Sequence, residues 1–370
     1  MKFFPHLLVF ICTALLPLTG CDSGGKEEPG SSFDRQAMLR HYADNLIKPS
    51  YTALLGRIET FKTQTSVFIA NPTGTELSAL QIAWAAAYTD WQYANAWNFG
   101  PSGEAGLKKG LVEEVGTFPA GTAKIESAVG AGQWNLEDFN RDARGFLAIE
   151  YLIYGQNQSA DEVAALFAAD AQRRDYLQAL VNDLQRRISE VVNTWNSAYS
   201  SEFIQNDGTD VGSSISQLYN EFVRSYESIK NFKLGLPMGK RPGQTQAEPQ
   251  LVEAYYSGLS LTMLKAHFAA VENSWYGRAR NGQDGPGFRE YLESVEGGNT
   301  LIAGTEAQLA ALKSALAAVP ESPALSEQIA NNSPQLEALY VELSKMTRFF
   351  KSDLSSLLGI AITFSSGDGD

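Results

Sequence analysis

Cysteine and histidine are nearly missing from this 370-residue chain, which has two of the first and three of the second. Cys12 lies in the N-terminal apolar run and Cys21 just beyond it, so no disulfide joins two parts of one mature domain. Only His41 and His267 lie outside that N-terminal segment, and neither has a second histidine at a zinc-site spacing. There is no HExxH, no GxSxG, no P-loop and no catalytic cysteine motif. Basic residues are also short, 29 Lys and Arg against 42 Asp and Glu, for a net charge of −13. Phosphate backbones need a basic face, so the balance argues against nucleic acid as a partner. Sustained strand-type alternation is absent too, which leaves helices to build the fold.

The N-terminus reads as an export signal. Lys2 is followed by the apolar run Leu7 to Leu16, too short to span a bilayer as a mature helix. Leu18-Thr19-Gly20-Cys21 then forms a lipobox, the bacterial lipoprotein signal. The expectation is a signal over 1–20, lipidation at Cys21, and a tether over 21–33 built from DSGGKEEPGSS. Loss of Lys2, the one charge in 1–20, would take the net charge to −14. Membrane association would run through lipidated Cys21 on the periplasmic side, with inner and outer membrane both open.

Helical periodicity runs through the rest. Tyr176, Leu177, Leu180, Val181, Leu184, Ile188, Val191, Val192 and Trp195 make one apolar stripe, with Asp183, Arg186 and Arg187 on the other face. Similar stripes run from Leu336 to Leu357 and from Leu301 to Leu316, the latter stopped by Pro320. Breaks fall at Asn71–Gly74, Phe99–Gly103, Asn206–Asp210, Gly235–Pro249 and Asn281–Gly287. The expected fold is all-α, two helical-bundle domains packed together, over 34–206 and 207–370.

Two stretches carry candidate chemistry. AWAAAYTDWQYANAWNFGP sets Trp84, Tyr88 and Trp91 on one helical face, as core or as an aromatic pocket wall, with Asp90 read as solvated. ARGFLAIEYLIYG places one carboxylate, Glu150, among Phe146, Leu147, Ile149, Leu152 and Ile153. A charge there needs a partner, so Glu150 is either a structural acid or a pocket acid or metal ligand.

That second stretch resembles the signature segment of the imelysin family, Gly-x-His-x-x-Glu followed by an apolar run. The NFGP segment ending at Pro101, the KLGLP loop from Lys233, EAYYSGLS from Glu253 and the closing SDLSSLLGIAITF agree in order and spacing. The resemblance spans about Phe33 to Asp370. It implies two helical bundles with a site at their junction, in bacterial surface or periplasmic proteins classed as metallopeptidases. Some members are linked to iron regulation, and a related domain occurs in iron uptake systems. Gly145 and Glu150 match the motif, but Leu147 stands at the His, and Tyr88 and Asn95 stand where many members have Arg and Glu.

The expectation is therefore a non-catalytic binding protein, accessory to iron or haem uptake and partnered with uptake components. Its cleft would be lined by Glu150, Arg144, Trp84, Trp91, Asn95 and Glu253, with Glu150 held by a cation or hydrogen-bond donor where the two units meet. The alternatives are a metallopeptidase with atypical ligands, needing His267 or His41 within about 2.1 Å of a metal shared with Glu150, and an interaction scaffold without a ligand.

Overall fold

Helices account for the regular structure throughout. The computed structural model describes Met1, residues 33–104 and residues 109–364, and among these there is no strand. The signal segment, Cys21 and the tether up to Ser32 lie outside the described residues. No helix among the described residues is long and apolar enough to cross a membrane.

The long helices follow the sequence stripes. Lys48–Ala70 and Gly74–Ala94 are joined by Asn71-Pro72-Thr73, and the Thr73 hydroxyl caps the second by accepting from the Glu76 amide. So short a connection sets them antiparallel. Ala171–Trp195 packs on Lys48–Ala70, with the Tyr176-to-Trp195 stripe buried apart from half-buried Val192. In the C-terminal half Ser260–Tyr276, Gly298–Ala317 and Pro334–Thr347 form the frame. Residues from Phe33 onward make one compact unit. Within it Gly74–Ala94 from the first half packs directly on Ser260–Tyr276 from the second.

Two expectations are corrected here. Asp183 and Arg187 are buried rather than solvated, because both reach a buried polar cluster around Glu114: Arg187 lies 3.1 Å from Glu114 and 2.8 Å from Asp183. Asp90 is 4% exposed and is clamped between Arg57 at 3.4 Å and Arg280 at 2.5 Å. The helix ends at the expected Gly235–Pro249 break, and Ile229–Gly235 brings the Ser214–Ser228 helix to it as a wide π-type turn. The Leu236 amide donates to the Asn231 carbonyl at 2.9 Å, a five-residue step. Such a turn re-aims the side chains it carries, and is frequent at functional sites.

Candidate functional site

Four segments meet where the halves touch: the end of Gly74–Ala94, the Gly145–Tyr154 helix, the wide turn over Ile229–Gly235, and the turn over Glu253–Ser257. Gly145 is needed at its place twice over. Its φ is +73°, and a Cβ there would stand 2.4 Å from the Val115 carbonyl oxygen. Ala254, at φ +53°, holds a left-handed conformation uncommon for a residue with a Cβ. It follows Glu253 and precedes the amide that binds Glu150.

Glu150 is 1% exposed, and its Oε1 accepts from the Ser257 amide at 2.8 Å. Burial pushes the carboxyl up to about 7, against the Ser257 hydrogen bonds that favour the charge, with nearby Glu253 adding to the rise. Beside it runs a buried polar chain. Tyr88 donates to Glu253 Oε1 at 2.6 Å and Gln92 Nε2 to the same oxygen at 3.2 Å. Lys233 donates to Gln92 Oε1 and lies 2.8 Å from Glu253 Oε2. Glu253 and Lys233 are 3% and 4% exposed. Burial draws the Lys233 ammonium down from its usual range, while Glu253 pulls the other way. His267 is wholly enclosed, with Nε2 at 2.7 Å from Ser225 Oγ. Burial and then the Lys233 charge hold it well below the usual histidine range, so it is neutral.

A recess of about 150 Å³ opens on this chain and is lined by Trp91, Asn95, Phe118, Phe232, Lys233 and Glu253. It shares Asn95, Val112, Glu113, Ser228 and Phe232 with a groove of about 590 Å³ that extends over Glu221, Arg224 and Asn231. The two hollows are thus continuous, and they run between residues 91–118 of the first half and 217–253 of the second.

Three of the six residues expected to line a cleft therefore share one: Trp91, Asn95 and Glu253. The other three are corrected. Trp84 is 0% exposed, donates from its indole to the Phe146 carbonyl at 3.0 Å and stacks on Tyr88, so it is core and not an open wall. Arg144 is 2% exposed and turns to Glu114, at 2.6 Å, and to the Asp138 carbonyl, at 2.9 Å. Burial alone would raise the Glu114 carboxyl, but hydrogen bonds from Arg144 and Arg141 outweigh it and lower it. Glu150 is sealed beneath the Ser257 amide rather than set in the open groove. Leu147 is buried at 2% exposure. His41 is also spoken for: its Nε2 lies 2.6 Å from the Gly277 carbonyl oxygen.

Sequence reasoning missed Lys233, Gln92, Glu113, Glu221, Arg224 and Asn231. The one usable signal was the KLGLP segment itself, in which Lys233 sits among apolar neighbours.

A family model described as Imelysin matches residues 47–348. Iron-regulated protein A of Synechococcus elongatus is 22% identical over 293 residues, 76% of this chain and 75% of that protein. Two solved structures share the fold. One is a candidate iron-regulated protein A precursor from Parabacteroides distasonis, at TM-score 0.72 and 15% identity over 87% of this chain and 95% of that one. The other is an imelysin-like protein from Psychrobacter arcticum, at TM-score 0.71 and 20% identity over 89% and 97%.

Proposed function

This chain belongs to the imelysin family, and from that premise we propose that it is a non-catalytic binding protein of the bacterial cell envelope, lipid-anchored at Cys21 and accessory to iron handling. Its ligand sits in the groove between the two halves. The observation that carries the reading is the continuity of that groove with the buried Lys233–Glu253 pair, which brings Trp91, Asn95 and Glu253 onto one wall. The name of the Synechococcus relative supports the iron connection, and the lipobox supports the anchor.

A peptidase metal does not fit these residues. Leu147 offers no donor at the motif's histidine, and Glu150 is engaged by the Ser257 amide. The positive charge opposite Glu253 is already the Lys233 ammonium. Zinc hydrolysis needs several protein ligands and an open position for water. Haem fits no better: among the described residues the groove and its recess present no His, Cys, Met or Tyr as an axial ligand. Iron would reach this groove carried by an organic chelator.

The test is a titration of the lipidated protein with ferric citrate, ferric catecholates, haem and zinc, read by tryptophan fluorescence. Trp91 lines the recess, so Trp91→Phe should remove much of the signal of a ligand bound there. The reading expects saturable binding of a ferric chelate and no cleavage of unfolded casein. No iron-dependent binding would end it, and chelator-sensitive cleavage abolished by Glu150→Gln would restore the peptidase.

A further inference from the structure

Several polar atoms in the groove have no protein partner. Asn231 is 2% exposed, lines the groove, and its Nδ2 donates to nothing. Glu113 Oε2 accepts nothing and Arg224 Nε donates to nothing, although both atoms are buried. A buried polar atom without a partner costs about 1–3 kcal/mol, so the fold leaves two donors and an acceptor unmet around one hollow. The wide turn over Ile229–Gly235 carries Asn231 to that wall.

The remaining lining sharpens the chemistry. Burial pushes the Glu221 carboxyl up to about 8, against the Arg224 charge and the Asn98 amide and with help from Glu113, so at neutral pH it is an acid able to donate. Ser225 presents a hydroxyl braced by His267. Phe99, Phe232 and Phe364 add apolar ring surface. Donors and acceptors thus share the groove with ring faces.

A phosphate or other compact anion is a poor match, because the Arg224 guanidinium shares the lining with Glu104, Glu113 and Glu227. A bare divalent cation is poorly served, since among the described residues no three His, Cys, Asp or Glu side chains converge to hold one. A hydroxyl group donates and accepts at once, and a ring that bears hydroxyls offers apolar faces to phenylalanine. The volume of about 590 Å³ lies in the range of small-molecule sites.

We propose that the groove binds a hydroxyl-rich ring molecule, with Asn231 Nδ2 donating to a ligand hydroxyl, Glu113 Oε2 accepting from one, and the Phe232 and Phe364 rings packing on its faces. This rests on the proposed function for the site but not for iron. A neutral sugar and a catechol-type chelator share the chemistry, and the test separates them.

The lipidated protein is titrated calorimetrically with iron-free catechol, then with glucose, galactose, mannose, N-acetylglucosamine, maltose and lactose, and with calcium and magnesium salts. At least one hydroxylated probe should bind saturably. Asn231→Leu and Glu113→Met should each weaken it about tenfold, the scale of one lost hydrogen bond. Asn231→Leu removes an unpaired buried donor, so its melting temperature without ligand should not fall. If it fails to fold, Glu113→Met, at a half-buried position, still decides the matter. Saturable sugar binding assigns the ligand to carbohydrates, and catechol binding to chelators. Binding of iron-free probes that ferric chelates neither match nor displace keeps this proposal and ends the iron reading. Binding of ferric chelates with none of the iron-free probes does the reverse. No hydroxylated probe binding, binding of divalent cations alone, or affinities untouched by both substitutions would overturn the proposal.

Discussion

Replacing Glu150 by glutamine should make the protein less sensitive to alkali. In the folded chain burial holds this carboxyl at about 7, against an ordinary value of 4.5. Between those values the unfolded chain has released its proton while the native one keeps it, so stability falls as pH rises from 4.5 and levels off above 7. At about 1.4 kcal/mol per unit, the part of that loss between pH 5 and pH 8.5 that belongs to Glu150 is about 2–3 kcal/mol. Glutamine keeps an oxygen for the Ser257 amide and carries no charge to bury. Urea unfolding of the two chains at pH 5 and pH 8.5, followed by far-UV circular dichroism, gives the difference directly. The wild type should lose about 2–3 kcal/mol more than Glu150→Gln over that interval. Contributions from other groups, Glu221 among them, are common to both and cancel. Equal losses from equal stabilities would mean that Glu150 titrates as an ordinary glutamate, and the account of a neutral acid under the Ser257 amide would be wrong. A glutamine chain weaker by a constant amount at both pH values would mean that the negative charge itself is wanted. Glu150→Leu compared with Glu150→Gln provides the scale for the hydrogen bond alone, with a loss of about 1–3 kcal/mol at either pH.

Lys233→Met should destabilise by about 3–5 kcal/mol, because it leaves Glu253 buried without its cation. Adding Glu253→Gln should recover much of that loss, which a double-mutant cycle in urea will show; no recovery would mean the pair is not coupled. Glu114→Gln should weaken the protein at neutral pH by stranding Arg144 and Arg187, and the deficit should shrink in acid. The lowered Glu114 carboxyl contributes stability that is present above 4.5 and lost as pH falls through its folded value, so a variant deficit that does not shrink in acid counts against the cluster. Cys21→Ser should leave the chain unlipidated and unprocessed, and mass spectrometry that finds unmodified Cys21 in the mature wild type would remove the anchor.

The fold was legible because its apolar stripes are long. Tyr176 to Trp195 and Leu301 to Leu316 predict their helices and buried faces nearly residue by residue, since a 3.6-residue period sustained over several turns matches a helix with one buried face and no strand. Periodicity misjudged the charged residues on those helices. Asp183, Arg187 and Asp90 occupy the faces that it assigns to water, yet each is buried: Arg187 meets Glu114 and Asp90 meets Arg57 and Arg280 from other segments, while Asp183 is covered with Arg187, its partner four residues on. A stripe identifies which side chains are apolar, not which polar ones have a counter-charge waiting across a packing interface.

The site was legible only in part, and for a related reason. Trp91, Asn95 and Glu253 stand in family-like segments, and they do meet. Trp84 groups with Trp91 in the sequence because the spacing of seven puts both on one helical face, yet it is core. One face of a helix spans two turns here, and the groove begins only where the helix gives way to the turn over Asn95–Trp97. Lys233 escapes a sequence reading because it sits inside the wide turn over Ile229–Gly235, where an extra residue alters the helical phase. Asn231 keeps the three-and-four spacing of Gln217, Asn220, Arg224 and Ser228 on the groove wall, and the wide step lies after it, where the Leu236 amide reaches the Asn231 carbonyl. Burial of Glu221 and Glu227 on the same helix follows from its position between the halves, with structure on nearly every side. A helix wrapped by both halves of a protein has no solvent face for its polar residues to mark, so its glutamates and asparagines read as surface in the sequence and form the inner wall of a groove in the fold.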